Sequence, residues 1–128
     1  MSTWAPNIEN FSHFTFTGSS TLSVSQHITD YDIRLTSLEL TLNAPDSSIE
    51  NITMGIISHE VTPPIELIWY TKNLLGIYSL IYTPDISLLL KTGDYLTLDW
   101  ANVNNLTYTA TVNYVRRFTV WRMDNTWK

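Results

Sequence analysis

Apolar and polar residues alternate with a period of two along most of this chain, and that alternation restricts the folds open to it. Residues 38–42, for example, read Leu-Glu-Leu-Thr-Leu. Successive side chains of a β-strand point to opposite faces, so this period is typical of a strand with one buried and one solvated face. The same period recurs in residues 22–28, 52–56, 96–100 and 108–114.

Helix is not expected. Alanine occurs only four times, while β-branched Thr and Ile, which favour strands, are among the commonest residues. The segment nearest to a helical pattern is 65–75, but a proline pair precedes it, and Trp69 and Tyr70 inside it favour a strand. We interpret it as a strand followed by a turn.

Clusters of Gly, Pro, Asn, Asp and Ser separate these segments at fairly regular intervals. The sequence therefore predicts an all-β fold, a single-domain antiparallel β-sandwich over residues 1–128, jelly-roll-like, with about eight strands and little or no helix. The clearest local prediction is a hairpin between residues 86–90 and 95–100. Its turn contains Gly93, which can adopt a positive φ.

Composition excludes several classes of protein. Charged residues make up 15% of the chain, below the roughly 25% usual for soluble domains. There is no cysteine, which excludes a disulfide framework and a thiolate site. Twelve acidic against seven basic residues give a net charge of −5, which argues against a nucleic-acid partner. No apolar run approaches the roughly 18 residues that span a bilayer, so no membrane partner is expected.

The two ends of the chain differ from its middle. We assign residues 1–17 to an N-terminal arm, 18–115 to the sandwich core and 116–128 to a basic, aromatic C-terminal arm. Residues 1–60 carry seven acids and one Arg, whereas residues 116–128 carry four basic groups and one acid. This charge asymmetry predicts an arm that docks on the acidic half of a neighbouring copy or on a partner surface.

Catalytic and metal-binding patterns are weak. His13, His27 and His59 lie on separate segments and are interpreted as exposed or turn residues. Asp30 and Asp32 share a strand face and are interpreted as a solvated loop pair, with a Ca²⁺ site or an acid–base pair as the less favoured alternative. There is no nucleophile elbow and no phosphate-binding loop. We therefore expect no enzyme activity, no cofactor and no metal.

Aromatic residues raise the alternative of carbohydrate binding, since a sheet with exposed rings can stack sugars. Trp100, however, is in phase with two strand leucines and is expected in the core. Trp69 is ambiguous. Trp4, Trp121 and Trp127 lie in the arms, where exposed aromatics favour a protein interface over a sugar platform.

The C-terminal arm interleaves Arg with aromatic residues, which are the types enriched at binding hot spots. Two other interpretations remain open: a final edge strand guarded by its Arg side chains, and weak non-specific contact with nucleic acid. The residues predicted at an oligomer or capsid interface are Trp4, Phe11, Arg116, Arg117, Phe118, Trp121, Arg122 and Trp127.

Residues 35–112 resemble small β-sandwich virion structural proteins of tailed phages. The similar segments are 38–42, 44–46, 50–53, 82–86, 91–96 and 99–108. The resemblance implies a virion structural protein, assembled in the host cytoplasm, that acts as a capsid decoration (cement) protein. Its implied partners are the major capsid protein or other virion proteins, and its implied state is a homo-oligomer, with a trimer favoured. The alternative is a carbohydrate-binding or receptor-binding module of a tail or baseplate component.

Overall fold

The structure, a computed structural model, describes the backbone of residues 7–59, 62–86 and 88–119 and the side chains of residues 11–59, 62–86 and 88–116. In that part every regular element is a β-strand, and every strand pair is antiparallel. The strands are β1 (Asn7–Gly18), β2 (Leu22–His27), β3 (Asp32–Leu42), β4 (Asn51–Ser58), β5 (Ile65–Asn73), β6 (Ser79–Tyr82), β7 (Leu88–Leu90), β8 (Tyr95–Trp100) and β9 (Tyr108–Thr119). No helix in the described ranges is long and apolar enough to cross a membrane.

The strands form two sheets with an interleaved order. One is β1-β9-β3-β6, with β7 also paired to β3, and the other is β2-β8-β4-β5. Strands from the first half of the chain pair with strands from the second half in nested fashion: β1 with β9, β2 with β8, β3 with β6 and β7, and β4 with β5. Nested antiparallel strand pairs of this kind, divided between two facing sheets, form a jelly roll. The predicted all-β antiparallel sandwich is confirmed.

The hydrophobic core lies between the two sheets and consists of the inward-facing residues of the alternating segments. Leu38, Leu96 and Leu98 are completely buried, and Trp100 is 1% exposed. The predicted core position of Trp100 is therefore confirmed, as is the exposed position of His27 on the polar face of β2. Burial of such side chains is the main favourable term in folding, about 25 cal/mol per Å² of apolar surface.

A β-bulge reverses the alternation in β3. Its pairing with β9 shifts between Leu35 and Ser37, so that Thr36 is the extra residue. Ile33 and Leu35 are buried before the bulge, and the buried positions then continue from Leu38. One inserted residue changes which side chains face the core. The bulge explains why the period of two in the sequence is regular only after residue 37.

The predicted hairpin between residues 86–90 and 95–100 is wrong. Gly93 does have a positive φ of 103°, but β7 pairs with β3 in one sheet while β8 pairs with β2 and β4 in the other. The turn therefore crosses between sheets. Its backbone is fastened to the end of β2 instead, because the Gly93 N–H donates to the Ile28 carbonyl at 2.7 Å. The true hairpin joins β4 to β5, and the strand and turn expected over 65–75 are present.

Part of each predicted arm lies in a strand. Residues 7–17 lie in β1 and residues 116–119 lie in β9, and these two strands pair from Asn7–Thr119 to Gly18–Tyr108. Phe14 and Phe16 of β1 pack against the core. The nesting of a jelly roll makes the first strand the partner of the last, so both become part of a sheet. Trp4, Trp121, Arg122 and Trp127 lie outside the described residues.

Candidate functional site

Two predicted interface residues have described side chains, and the structure places them on opposite faces of the β1-β9-β3 sheet. Phe11 of β1 is 79% exposed. Arg116 of β9 lies opposite Ile33 of β3, a buried core residue. Directly opposite residues share a face of a sheet, so Arg116 lies on the inner face, where the core reaches one end of the sandwich. Of these two side chains, only that of Phe11 is exposed.

The register places one basic residue of β9 beside acidic positions of its own chain. The backbone of Arg117 lies between Glu9 of β1 and Asp32 of β3, and that of Phe118 lies opposite Ile8. That the C-terminal arm docks on a neighbouring copy or on a partner surface stays a prediction.

A small pocket opens at the end of the sandwich that carries Arg116, and it is called the end pocket here. Its volume is about 130 Å³. The walls nearest the core are Phe14, Ile33 and Tyr114, and the mouth is formed by the connection from β2 to β3, including Asp30 and Tyr31. Both sheets therefore contribute to it: β2 from one, and β1, β3 and β9 from the other.

Arg116 is held over an aromatic ring in the end pocket. Its guanidinium carbon lies 5.5 Å from the centre of the Tyr31 ring, within the range of a cation–π contact. The Arg116 Nε atom is buried and has no hydrogen-bond partner. A buried donor without an acceptor costs roughly 1–3 kcal/mol, more for a charged group. The sequence indicated that Arg116 binds something, but no local pattern showed that the residue faces inward.

Two histidines from separate segments meet at the same end of the sandwich. The ring of His27 stacks on Tyr95 with centroids 4.5 Å apart, and the ring of His59 meets Tyr95 edge-on at 5.3 Å. Pairing of β8 with β2 and β4 brings the three residues together. Within the described ranges, no group of three or more His, Asp or Glu residues is placed to hold a metal ion.

The Asp30 and Asp32 pair is exposed, and Asp32 has a structural role. Its Oδ1 accepts a hydrogen bond from the backbone N–H of Thr92 at 2.9 Å. This bond fastens the turn between β7 and β8 to the start of β3. The pair thus lies in the solvated setting that the sequence predicted, with Asp30 at the mouth of the end pocket.

A buried pair of carboxyl groups occupies the opposite end of the sandwich. Asp46 is 1% exposed, and its Oδ1 accepts hydrogen bonds from the Ser48 N–H at 3.1 Å and the Asn104 side-chain amide at 2.9 Å. Asp46 Oδ2, Glu50 Oε1 and the Trp100 Nε1 are buried without a partner. Sequence reasoning missed this pair, because the two acids lie in what reads as a polar turn.

The surroundings of Glu50 favour its protonated form. Burial, the largest cause, raises the pKa of the Glu50 carboxyl above its ordinary value of 4.5, and the neighbouring Asp46 side chain raises it further. The Val103 backbone N–H and the Trp100 indole oppose this rise in the pKa because they stabilise the charged form.

This arrangement predicts a pH dependence of stability. Because the pKa of Glu50 is higher in the folded than in the unfolded state, its contribution is complete below pH 4.5 and is lost as the pH rises through the raised pKa. In Glu50→Gln, which cannot ionise, we expect a flatter rise of unfolding free energy on acidification from neutral pH. Urea unfolding of the variant and the wild type at a series of pH values measures this pH dependence. Glu66→Gln, an exposed edge position, is the control, and an unchanged slope in Glu50→Gln contradicts the assignment.

The sandwich is open along the side where β5 and β6 are the edge strands. Leu67 of β5 lies opposite Ile56, a buried core residue, so it faces the other sheet. It is nevertheless 54% exposed, since β6 has only four residues. Tyr70 stacks on Tyr82 at 3.8 Å and closes the rest of this side. We name the exposed apolar residues of these edge strands and of the turn before β6 the open edge: Ile65, Leu67, Ile68, Tyr78 and Ile81. Ile68, opposite Gly55, and Ile81, opposite Glu39, lie on the outer faces of their sheets.

Neither described tryptophan forms an exposed stacking platform. Trp100 is core, and Trp69 is half-buried and packs against the core from β5. The exposed apolar surface of the described residues is therefore aliphatic, apart from Phe11, Tyr31 and Tyr78. An aliphatic surface favours protein contacts, whereas sugar rings stack on aromatic faces.

Comparison with known proteins adds little to what the strand order shows. A scan against models of known protein families finds no match, and a search of curated proteins finds none either. Among solved structures, a chain from the X-ray structure of tomato aspermy virus is similar with a TM-score of 0.35 and 7% sequence identity, covering 89% of this chain and 80% of that chain. A likeness at this level assigns neither fold nor function, so the jelly-roll assignment rests on the strand order.

Proposed function

We propose that the protein is a virion structural protein, a capsid decoration (cement) protein that binds and stabilises the capsid lattice of a tailed phage. The observation that carries the proposal is the open edge. Apolar side chains that are exposed along the edge of a sandwich favour contacts with other proteins. Jelly rolls serve in viral capsids but also in lectins and cupins, so the surface supports this choice more than the fold does.

The open edge suits a protein partner for two reasons. Ile65 and Leu67 point between the sheets while 47% and 54% exposed, so an apolar side chain from a partner can extend the core. The edge of β5 also offers unpaired backbone groups to a partner strand. On a repeating lattice many modest contacts of this kind add up to firm attachment. The proposed partner is the major capsid protein, with neighbouring copies of this chain forming a homo-oligomer around it.

Replacing a residue of the open edge by lysine tests the proposal. We expect Leu67→Lys to weaken binding to purified capsids at least about tenfold, which corresponds to about 1.4 kcal/mol. The matched control is Val103→Lys, which changes a residue of similar exposure, 62%, at the opposite end of the sandwich. Binding is measured by sedimentation with capsids, and circular dichroism checks that both variants fold.

A chain ending at Thr119 separates the open edge from the predicted C-terminal arm in the same assay. This truncation leaves β9 whole, whereas removal of residues 116–119 would also damage the sheet. Loss of capsid protection against heat in the truncated chain alone assigns the contact to the arm. If Leu67→Lys and the truncated chain both bind capsids like wild type, the open edge and the arm are both wrong as the contact. If glycans quench tryptophan fluorescence and capsids are not bound, the proposal is overturned in favour of a carbohydrate- or receptor-binding module.

A further inference from the structure

We propose that the end pocket binds a carboxylate, with Arg116 as the residue that receives it. Arg116 lines an inter-sheet pocket, and its buried Nε–H has no acceptor. Nothing in the proposed capsid role requires this site, so the two proposals stand or fall separately.

The contact with Tyr31 gives Arg116 an aromatic neighbour but no hydrogen-bond acceptor. The guanidinium carbon lies 5.5 Å from the ring centre, within the range of a cation–π contact. All five N–H donors of arginine lie in the plane of the group. A planar carboxylate matches two of those donors with two parallel hydrogen bonds. A carboxylate would thus supply the acceptor that Tyr31 does not.

The size of the pocket limits the ligand. Its volume of about 130 Å³ is well below the roughly 300 Å³ at which pockets for drug-sized ligands begin. The end pocket therefore suits a carboxylate on a short apolar stem. Phe14 and Tyr114 provide an apolar wall for that stem. Two sources meet this description: a free short-chain acid, and the side chain of Asp or Glu on a partner protein.

Asp30 and His27 also line the pocket and enter the test. Asp30 lies at the mouth and is exposed, and His27 stacks on Tyr95. The negative charge of Asp30 opposes an incoming carboxylate, and Asp30 is also the residue that could occupy the site from within the chain. Asp30→Asn removes that charge with little change in size, so it distinguishes an open site from one that the chain fills itself.

The experiment follows the Arg116 Nε–H signal by ¹⁵N NMR in the full chain. Sodium acetate is titrated against sodium chloride at the same ionic strength, and a blocked glutamate tripeptide is titrated in a second series. We expect a saturable shift with acetate and none with chloride. In Arg116→Lys, which keeps the charge but loses the two-donor edge, we expect acetate affinity, followed by the Tyr31 signals, to fall at least tenfold. Lys72→Met, a cation of the distant edge strand β5, is the matched control and leaves it unchanged.

The outcomes separate cleanly. Tighter binding of the peptide than of acetate identifies a protein side chain as the source, and equal binding identifies a small acid. A shift of the same size with chloride, or no saturable shift, overturns the proposal. The proposal is also overturned if Asp30→Asn shifts the Arg116 signal in the absence of acetate and this variant binds acetate while the wild type does not. Because the Nε–H signal is read in the wild-type chain, a variant that fails to fold does not decide the question.

Discussion

Trp100→Ala lowers the free energy of unfolding by about 4 kcal/mol, the largest single loss expected for this chain. The indole is 1% exposed and lies in the core at the end of β8. It meets the Tyr108 ring edge-on, with centroids 5.9 Å apart, so its removal leaves a cavity between the sheets. Native domains are stable by only about 5–15 kcal/mol, and the variant thus loses a large share of the total.

Urea unfolding followed by far-ultraviolet circular dichroism measures this loss. The matched control is Trp69→Ala, which removes the same side chain from a half-buried position on the edge strand β5. We expect the control to lose less than half as much, because part of its indole is already in water. Equal losses in the two variants would contradict the assignment of Trp100 to the centre of the core.

Gly55→Ala is expected to lower the free energy of unfolding by about 3 kcal/mol, the upper end for overpacking a close contact. A Cβ at this position would lie 2.2 Å from the backbone oxygen of Leu67. The pairing of β4 with β5 shifts at this point, with Trp69 as the extra residue, and the shift brings the β5 backbone onto Gly55. A backbone atom cannot rotate away as a side chain can, so β5 has to move.

Gly76→Ala separates this effect from the general cost of replacing glycine. Gly76 has a φ of 77°, and a Cβ added there would meet no atom within 4 Å, so its replacement costs only the conformational strain, about 1–2 kcal/mol. Thermal unfolding of the two variants side by side gives the comparison. A smaller loss for Gly55→Ala than for Gly76→Ala would show that β5 yields easily.

The core could be predicted from the sequence because burial follows the alternation. The side chains of Leu38, Leu40 and Leu42 lie on the same face of β3 and are all buried. This pattern depends only on the alternation of side chains along a single strand. The hairpin prediction at Gly93 failed for the opposite reason. The turn has the same local chemistry whether the next strand pairs with the preceding one or crosses to the other sheet, and only the partner strands β3 and β4 decide between them.

The candidate sites depend on contacts that the sequence does not encode locally. His27 and His59 meet on Tyr95 only through the register of three strands. Arg116 faces inward because of its place in the register with β3, opposite the buried Ile33. The exposure of Leu67 depends on the shortness of β6, which belongs to the facing sheet. Arg116 was predicted as a binding residue, but as part of an arm and not of a pocket.

The nested pairing has a consequence for the order of folding. During synthesis β1 emerges first, yet its partner β9 is about a hundred residues later, with Asn7 opposite Thr119. Until β9 has left the ribosome, the inner edges of β1 and β3 have no strand between them. Pairing between distant segments is slow, and it leaves strand edges exposed in the meantime. Variants that weaken β9 should therefore reduce the yield of folded chain during expression more than they reduce the stability of the chain once folded.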